Sequence, residues 1–562
     1  MRKKAVSRSS ADSSKIRMLT SKSFRNLGSH PCNWSRFDVH NGSRNCEGSP
    51  AMAGRHAIWQ QSPAPIPPAS FNLARHALCP STAGSDSDIL LEIVTSAAEA
   101  PEAFTRADLQ NAVMATMTGL AARGLRPGDR CFVCLGNSLD FPIAFFAASG
   151  MGALPVPVSP MATLRELQVM HETLSPRLTI AENDRELPSS ATRLPLAEFR
   201  QMRGERPSEF AETCANDPAY IVFTSGTGGR PKAVVHAHRA AFARRMMWQD
   251  WYGLRAGDRM LHAGAFNWTY TLGAGLMDPW AIGATALIYT GRQYPGVWAD
   301  LAERFSPTLF AAAPGVYRQI LKPDVFRPEA FRTLRHGLAA GEAMPNSIRV
   351  IWETETGLPL LEALGMSEVS TYISQSPEQP ELYRPQTGRS VAILEDDTAR
   401  PTAWDMPGRL AVSKEDPGLM LGYWQDGKPS LPSQNGWFIT GDRAAMREDG
   451  HITYLGRGDA LLTTGGYRIA PAEVEAVLTS HPAVAEACVL SLPVRADVSV
   501  LAAFLVPHFT IADEDLSRHC AQMLARYKQP RKFVFLDALP RTARGKVDRH
   551  ALMEAHGWKE PA

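Results

Sequence analysis

A short glycine- and hydroxyl-rich segment, TSGTGGRPK, occupies residues 224–232, directly after the apolar run AYIVF. Bare loops of this kind expose backbone N–H groups and hydroxyls, which together cradle phosphate oxygens. Lys232 adds a positive point charge. Lys232 follows a proline and precedes an alanine, so the segment is not a Walker A loop, which needs G-K-S/T at its end. The spacing of its glycines does not match the G-x-G-x-x-G fingerprint either. The residues alone predict phosphate binding, with a plain surface loop as the alternative.

The segment resembles the phosphate loop of the adenylate-forming superfamily, which comprises acyl- and aryl-CoA synthetases, luciferases and peptide-synthetase adenylation domains. The pattern of that family is approximately S/T-S-G-S/T-S/T-G-x-P-K-G. Here Gly228 replaces a hydroxyl residue and Ala233 replaces a glycine. The resemblance implies that the nucleotide phosphates are bound by Thr224, Ser225, Gly226, Thr227, Gly228, Gly229 and Lys232.

Two further motifs of the family follow in order and at similar spacing. AAGEAMP, residues 339–345, resembles the adenine-pocket segment, and EALGMSE, residues 362–368, resembles the Y-G-x-T-E motif. In the second motif Leu364 stands where a tyrosine often stacks on adenine, and Ser367 replaces threonine. The resemblance assigns nucleotide binding here to Gly341, Glu342, Ala343, Leu364, Gly365 and Ser367.

Charged residues of the remaining motifs would act on the ribose, the metal and the α-phosphate. The resemblance implies that Glu368 binds Mg²⁺, an ion that prefers oxygen ligands. It implies that Asp442 in WFITGD and Arg457 contact the ribose. Arg468 would face phosphate, and Lys546 at the end of PRTARGK corresponds to the adenylation lysine. The implied catalytic residues are therefore Glu368, Arg468 and Lys546.

The segment GRGDALLTTGGYR carries the residues that the family uses for domain movement and for the thiol. The resemblance implies that Asp459 is a hinge and that Gly465 and Gly466 line the tunnel for coenzyme A. In the family a small domain rotates between two half-reactions, so different residues reach the substrate in turn. Ala460 stands where the family often has a second aspartate.

The stretch AGAFNWTYTLGAGLMDPW aligns with the segment that lines the acyl pocket in the family. The expected walls are apolar and aromatic, with no evident cation for a second carboxylate, and burying an unpaired charge is costly. An aromatic or alicyclic acid, or a medium-chain fatty acid, is therefore favoured over a diacid or an amino acid. FNLARHAL, VVHAH and GEAMP resemble the benzoate-CoA ligase branch. The predicted pocket residues, whose aromatics alternatively belong to the core, are Asn267, Trp268, Tyr270, Ala313, Ala339 and Met366.

The elements that must position these residues alternate between apolar runs and helix-like segments. PAYIVFTSG, ATALIYTG, PTLFAAAPG and LPLLEALGMSE each predict a strand that runs into a polar loop, where ligands of open α/β sheets collect. We expect an α/β fold with a large N-terminal body of mostly parallel sheets, a β-rich subdomain and a small mobile α+β C-terminal domain. The predicted boundaries are 1–60 for a basic extension, 61–458 for the AMP-binding body and 459–562 for the small domain.

The composition restricts the class of protein further. The 562 residues carry a formal net charge of +2, but residues 1–55 hold 11 Lys and Arg against 3 Asp and Glu, so the remainder is mildly acidic and does not predict nucleic-acid binding. The basic segment is interpreted as a disordered tail or an over-called start with Met52 as the beginning, with a transit peptide as the alternative. The C-x-x-C of Cys131 and Cys134 is interpreted as part of a buried strand rather than a metal or redox site.

The motifs together predict a cytoplasmic ATP-dependent acid–CoA ligase. It would convert an acid, ATP and coenzyme A, with Mg²⁺, to acyl-CoA, AMP and diphosphate through an acyl-adenylate, without a prosthetic group or a membrane span. A stand-alone adenylation enzyme that loads a carrier protein and a non-catalytic nucleotide-binding protein stay open as alternatives. A homodimer, and a lysine acetyltransferase acting on Lys546, are further expected partners.

Overall fold

The computed structural model describes residues 56–60, 62–79, 84–224, 231–458, 462–464, 467–495, 498–541 and 547–556, with the backbone alone for Ser347, Arg468, Ala472, Arg495, Val498 and His550. The predictions for residues 225–230, Asp459, Gly465, Gly466 and Lys546 lie outside the described residues, as do those for residues 1–55. No helix of the described part of the chain has both the length and the apolarity needed to cross a bilayer.

The largest sheet has nine strands, six of which run parallel to one another. Its central strands are buried along their whole length, because helices cover both faces and leave no solvated side that would call for alternating polar residues. Parallel strands end at one common edge, and this edge positions the candidate site. In spatial order the strands are Gln379–Pro385, Ser370–Ser376, Leu360–Met366, His336–Ala340, Leu309–Ala312, Arg259–His262, Thr285–Tyr289, Ile89–Val94 and Glu102–Thr105.

A second, fully parallel sheet contains the strand that holds both C-x-x-C cysteines. Cys131 and Cys134 lie on the strand Arg130–Cys134, where burial raises the pKa of each thiol to about 12. The predicted buried strand is thereby confirmed. The four strands, in spatial order, are Leu154–Pro157, Arg130–Cys134, Leu178–Ala181 and Arg193–Pro195.

The predicted phosphate loop joins two antiparallel strands. Pro218–Thr224 and Lys232–Ala237 pair with Thr224 opposite Lys232, and Gly422–Gln425 and Lys428–Ser430 complete this four-stranded sheet. The strand predicted from PAYIVFTSG is confirmed, and it belongs to this smaller antiparallel sheet rather than to a parallel one. The chain turns back on itself within seven intervening residues, which is too short for the helical crossover that parallel strands need.

The predicted β-rich subdomain is a five-stranded antiparallel sheet. An N-terminal strand, Ile58–Trp59, joins its edge beside Val391–Leu394. Its remaining strands are Gly408–Ser413, Trp437–Met446 and Ile452–Arg457.

The small C-terminal domain combines helices and strands, as predicted. A two-stranded hairpin, Leu462–Thr464 with Tyr467–Ile469, precedes the helix Pro471–Thr479. Apolar side chains of this helix and of the next, Asp513–Met523, pack on one face of a three-stranded sheet. The domain is completed by the strands Val484–Arg495, Val498–Pro507 and Lys532–Phe535 and by the helix Arg549–Ala555.

Two helices of the body begin at capping boxes. Arg106–Ala122 starts at a capping box of Thr105 and Asp108, and Leu164–Leu174 starts at a second box of Thr163 and Glu166. The other helical segments are Leu73–Leu78, Asp140–Gly150, Leu196–Gln201, Met202–Gly204, Arg239–Ala243, Arg245–Met247, Trp248–Tyr252, Thr269–Leu272, Gly273–Met277, Asp278–Ile282, Val297–Phe305, Pro314–Ile320, Pro328–Phe331, Asn346–Thr356 and Arg526–Lys528.

Candidate active site

A cavity of about 520 Å³ opens at the carboxyl ends of four neighbouring strands of the nine-stranded sheet. Its wall consists of residues 263–265, Ala313, Gly341 and Met366, each at or just beyond the end of one of these strands. At this edge the parallel strands run into loops, which is where ligands of open α/β sheets collect.

The opposite walls come from the phosphate-loop hairpin and the small domain. Thr224 and Pro231, the described residues on either side of residues 225–230, line the cavity. Tyr467, Tyr527 and Lys528 close it from the small domain. The cavity therefore lies between the body and the small domain.

Most of the predicted acyl-pocket residues line this cavity, namely Asn267, Trp268, Tyr270, Ala313 and Met366. Ala339 does not: it is fully buried in an apolar cluster with Tyr317 and Trp352, whereas its neighbour Ala340 faces the cavity. Successive side chains of a strand point to opposite faces of the sheet, so only one of the two alanines can reach the site. The placement of Ala339 in the pocket was wrong by one residue.

Two aromatic side chains give the acyl end of the cavity an apolar wall. Trp268 packs edge-to-face on Tyr270, with ring centroids 5.2 Å apart. The Tyr270 hydroxyl donates to the Leu338 carbonyl at 3.3 Å, and burial raises the pKa of this phenol well above its usual value. Because the hydroxyl is used by the backbone, Tyr270 contributes the hydrocarbon part of its ring to the cavity.

Ser370 adds a polar lining position that the sequence reasoning missed. It lines the cavity, has a left-handed φ of 67°, and accepts a hydrogen bond from Arg244. Arg244 is buried and held by Asp278 through two hydrogen bonds of 2.8 and 2.7 Å. The only signal in the sequence was that Ser370 comes two residues after the EALGMSE motif.

The predicted nucleotide residues divide between two cavities. Gly365 and Ser367, together with Thr224 and Gly341, line the cavity described above, which we call the first cavity. Leu364 is half-buried against the body core instead. Glu342 and Ala343 line a second cavity, which the small domain completes.

The second cavity, also of about 520 Å³, lies between the adenine-segment residues and the small domain. Arg318 contributes to it from the body, and Arg526 and Arg531 from the small domain. Tyr467 and Tyr527, whose rings stack at 4.1 Å, line both cavities. The two spaces therefore meet at this aromatic pair.

Asp442 and Arg457 are neighbours on paired strands. The Arg457 Nη1 lies 3.3 Å from Asp442 Oδ1, and the Tyr454 hydroxyl donates to the same oxygen at 3.1 Å. Asp442 is 1% exposed, and neither it nor Arg457 lines the 520 Å³ cavities. Of the predicted catalytic residues, Arg468 lies on the hairpin strand opposite Thr463.

The histidines of VVHAH hold the backbone around the site. His236 Nε2 donates to the Ser367 carbonyl at 2.8 Å, and His238 Nδ1 accepts from the Leu73 N–H at 3.0 Å. Burial lowers the pKa of each to about 4, so both are neutral at physiological pH. Both side chains therefore pack in the body and hold its backbone through hydrogen bonds.

Comparison with known proteins identifies the class. The AMP-binding enzyme family matches residues 92–424, and the AMP-binding enzyme C-terminal domain matches residues 473–546. The chain belongs to the AMP-binding enzyme family. The resemblance inferred from the motifs is confirmed, including its benzoate-CoA ligase branch, since two aryl-CoA ligases are among the similar curated proteins.

The similar proteins match between 77% and 86% of this AMP-binding enzyme. A 3-hydroxybenzoate–CoA ligase of Aromatoleum sp. (strain CIB) is 29% identical over 482 residues, 80% of this chain and 91% of that one. A benzoate–CoA ligase of Thauera aromatica is 29% identical, covering 77% and 87%. The solved o-succinylbenzoate CoA synthetase of Bacillus subtilis superposes with a TM-score of 0.74 at 25% identity, covering 86% and 98%.

Proposed function

We propose that this AMP-binding enzyme is an ATP-dependent acid–CoA ligase that acts on an aromatic acid. The observation that carries the proposal is one cavity with the flanks of the phosphate loop on one wall and Trp268 with Tyr270 on another. An acid seated against the aromatics lies beside the place where nucleotide phosphates would bind. The similarity to 3-hydroxybenzoate– and benzoate–CoA ligases supports this assignment.

The first half-reaction joins the acid to AMP. The carboxylate attacks the α-phosphorus of ATP, a P–O bond forms, and diphosphate leaves. Residues 224–229 and Lys232 hold the departing phosphates, Asp442 and Arg457 the ribose, and Lys546 the α-phosphate and the acid oxygen. Rate enhancement here comes from positioning and from charge held in place before the reaction.

Glu368 is the residue that would hold Mg²⁺ with the nucleotide. It is 7% exposed and its side chain supplies oxygen ligands, which fit this hard cation. The bound ion would offset the negative charge of the phosphates.

The second half-reaction transfers the acyl group to sulfur. The thiol of coenzyme A attacks the acyl-adenylate carbonyl, a C–S bond forms and AMP leaves. We assign the second cavity to coenzyme A, because it meets the first at Tyr467 and Tyr527. Arg318, Arg526 and Arg531 supply cations for the phosphates of that substrate. Asp459 is proposed as the hinge, with Gly465 and Gly466 at the tunnel and Arg468 near phosphate.

A substrate screen tests the proposal. The purified full chain is assayed with ATP, Mg²⁺ and coenzyme A over benzoate, hydroxybenzoates, cinnamates, cyclohexanecarboxylate and C4–C12 fatty acids. Acyl-CoA formation with the highest kcat/KM on a ring acid supports the aromatic assignment. A preference for the fatty acids would replace it with medium-chain ligation, and acid-dependent diphosphate exchange without coenzyme A dependence would favour loading of a carrier protein. Nucleotide binding without exchange would mean a non-catalytic protein.

Trp268→Ala is expected to lower kcat/KM for the preferred ring acid at least about tenfold, since even one methylene in an apolar pocket can change discrimination by about 10- to 200-fold. The KM for ATP should stay within about twofold. The exposed aromatic Phe509 provides the control Phe509→Ala, which should change neither constant. If kcat/KM for the ring acid is unchanged in Trp268→Ala, Trp268 does not line the acyl pocket.

Asp442→Ala is expected to raise the KM for ATP about 10- to 100-fold, because hydrogen bonds to a charged group contribute about 1.5–3 kcal/mol. Asp396, an exposed residue just after the strand Val391–Leu394, pairs with Arg443 and supplies the matched control Asp396→Ala. Initial-rate kinetics at saturating acid measure the effect. Equal KM values for ATP in the two variants would argue against a contact between Asp442 and the ribose.

Three finer assignments complete the proposal. Acetylation of Lys546 would remove its charge and stop adenylation; unchanged activity after complete modification, verified by intact mass, would exclude this regulation. A homodimer is tested by sedimentation velocity of the full chain. A cytoplasmic location is tested by cell fractionation.

A further inference from the structure

Tyr423 contacts two of the charged residues assigned to ATP. Its hydroxyl donates to Glu368 Oε1 at 2.8 Å. The ammonium of Lys232 lies over its ring, with Nζ 4.7 Å from the ring centroid. One side chain therefore sits between the carboxylate proposed for Mg²⁺ and the lysine proposed for phosphate.

These two charged residues belong to different sheets. Lys232 begins a strand of the four-stranded sheet, whereas Glu368 follows the last parallel strand, Leu360–Met366, of the nine-stranded sheet. Tyr423 is anchored to the four-stranded sheet, where it pairs with Val234. The Met420 N–H donates to the Glu368 carbonyl at 2.8 Å, so the segment holds both the backbone and the side chain of the glutamate.

The backbone before Tyr423 leaves its strand little freedom. Gly422 has a φ of 139°, and a Cβ there would lie 2.3 Å from the carbonyl carbon of Ser430 on the adjacent strand. Tyr423 itself is opposite Ser430 in the same ladder. The ladder on both sides fixes the direction in which the tyrosine leaves the strand.

We propose that Tyr423 is a positioning residue that sets the Glu368 carboxylate and the Lys232 ammonium for binding of Mg²⁺-ATP. The proposal rests on the proposed function. The hydroxyl orients the carboxylate through a charge-assisted hydrogen bond, and the ring face holds the ammonium through its quadrupole. The two contributions are separable, because a phenylalanine keeps the ring and loses the hydroxyl.

Equilibrium binding of ATP, measured by titration calorimetry with and without Mg²⁺, separates the contribution of the Tyr423 hydroxyl from that of its ring. Tyr423→Phe is expected to weaken ATP binding in Mg²⁺ about tenfold and to leave Mg²⁺-free binding within about twofold. Tyr423→Leu, which also loses the cation–π contact, is expected to weaken Mg²⁺-free binding by about threefold as well. Trp424→Leu is the control: this neighbouring ring lies under Arg130, at 5.4 Å, and should leave both affinities unchanged.

A double-mutant comparison excludes a merely structural effect. In a Glu368→Gln background, Tyr423→Phe should cost less than threefold in Mg²⁺-ATP affinity, since the charged acceptor is gone. Equal losses in both backgrounds, or equal losses with and without Mg²⁺, would overturn the inference. Wild-type protein that binds no ATP would instead refute the proposed function, whereas wild-type binding matched by Tyr423→Phe would refute this inference alone.

Discussion

Lys528→Met is expected to lower the free energy of unfolding of the small domain by about 3–5 kcal/mol, the usual effect of removing one partner of a buried ion pair. Lys528 Nζ lies 2.7 Å from Glu166 Oε1 of the body and 2.7 Å from Glu473 Oε1 of the small domain, and its side chain is 6% exposed. Without the cation two buried carboxylates remain close together.

The charged groups around Lys528 determine how the stability of the Lys528→Met variant depends on pH. Burial alone would lower the pKa of Lys528, but Tyr527, Glu473 and Glu166 raise it, so the lysine stays charged throughout the neutral range. Burial raises the pKa of Glu473 despite the nearby ammonium. In Lys528→Met this pKa should rise further, and the folded protein should then bind a proton that the unfolded chain releases. The defect of the variant should therefore shrink as the pH falls from 7 toward 5.

Urea unfolding at several pH values, with hydrogen exchange in the helix Pro471–Thr479, measures both effects. Lys322→Met, at an exposed position of the body, is the control and should change stability by less than about 0.5 kcal/mol. Glu166→Gln tests the contact between domains separately, because it keeps an oxygen for the Thr163 capping box while removing the charge. A Lys528→Met protein as stable as wild type at pH 7 would show that the ion pairs contribute no net stability.

Lys546→Ala is expected to reduce acid-dependent diphosphate exchange about 100-fold or more. The lysine is proposed to stabilise charge at the α-phosphate only while the P–O bond forms, and groups that act in the transition state lower kcat and kcat/KM together when they are lost. Thioester formation from a supplied acyl-adenylate should keep most of its rate, since the P–O bond has already formed.

The two half-reactions are measured separately on one preparation of the variant. Lys532→Ala, at an exposed position of the same domain, is the comparison and should retain both rates. Equal losses in both half-reactions would indicate damage to the small domain rather than loss of a catalytic charge. Full exchange activity would remove Lys546 from the mechanism.

Motifs carried most of the function that could be predicted from the sequence. Short segments such as TSGTGGRPK and EALGMSE hold their proposed site residues within a few positions of one another, so a local pattern was enough to propose them. The apolar runs in ATALIYTG, PTLFAAAPG and LPLLEALGMSE predicted the strands Thr285–Tyr289, Leu309–Ala312 and Leu360–Met366, because strands covered by helices on both faces are mostly apolar. The same continuous apolar pattern hid which of Ala339 and Ala340 faces the cavity.

Contacts between distant segments were beyond the reach of the sequence. Nothing in GLMLGYW indicates that Tyr423 reaches Glu368, 55 residues away, and nothing in ARYKQP indicates that Lys528 pairs with Glu166, 362 residues away. By itself the sequence determined the class of fold, the order of the domains and the kind of chemistry, because these follow from local patterns. Only the tertiary structure decided which side chains share a cavity or a charge, because sheet order and domain packing bring together groups that no local pattern relates.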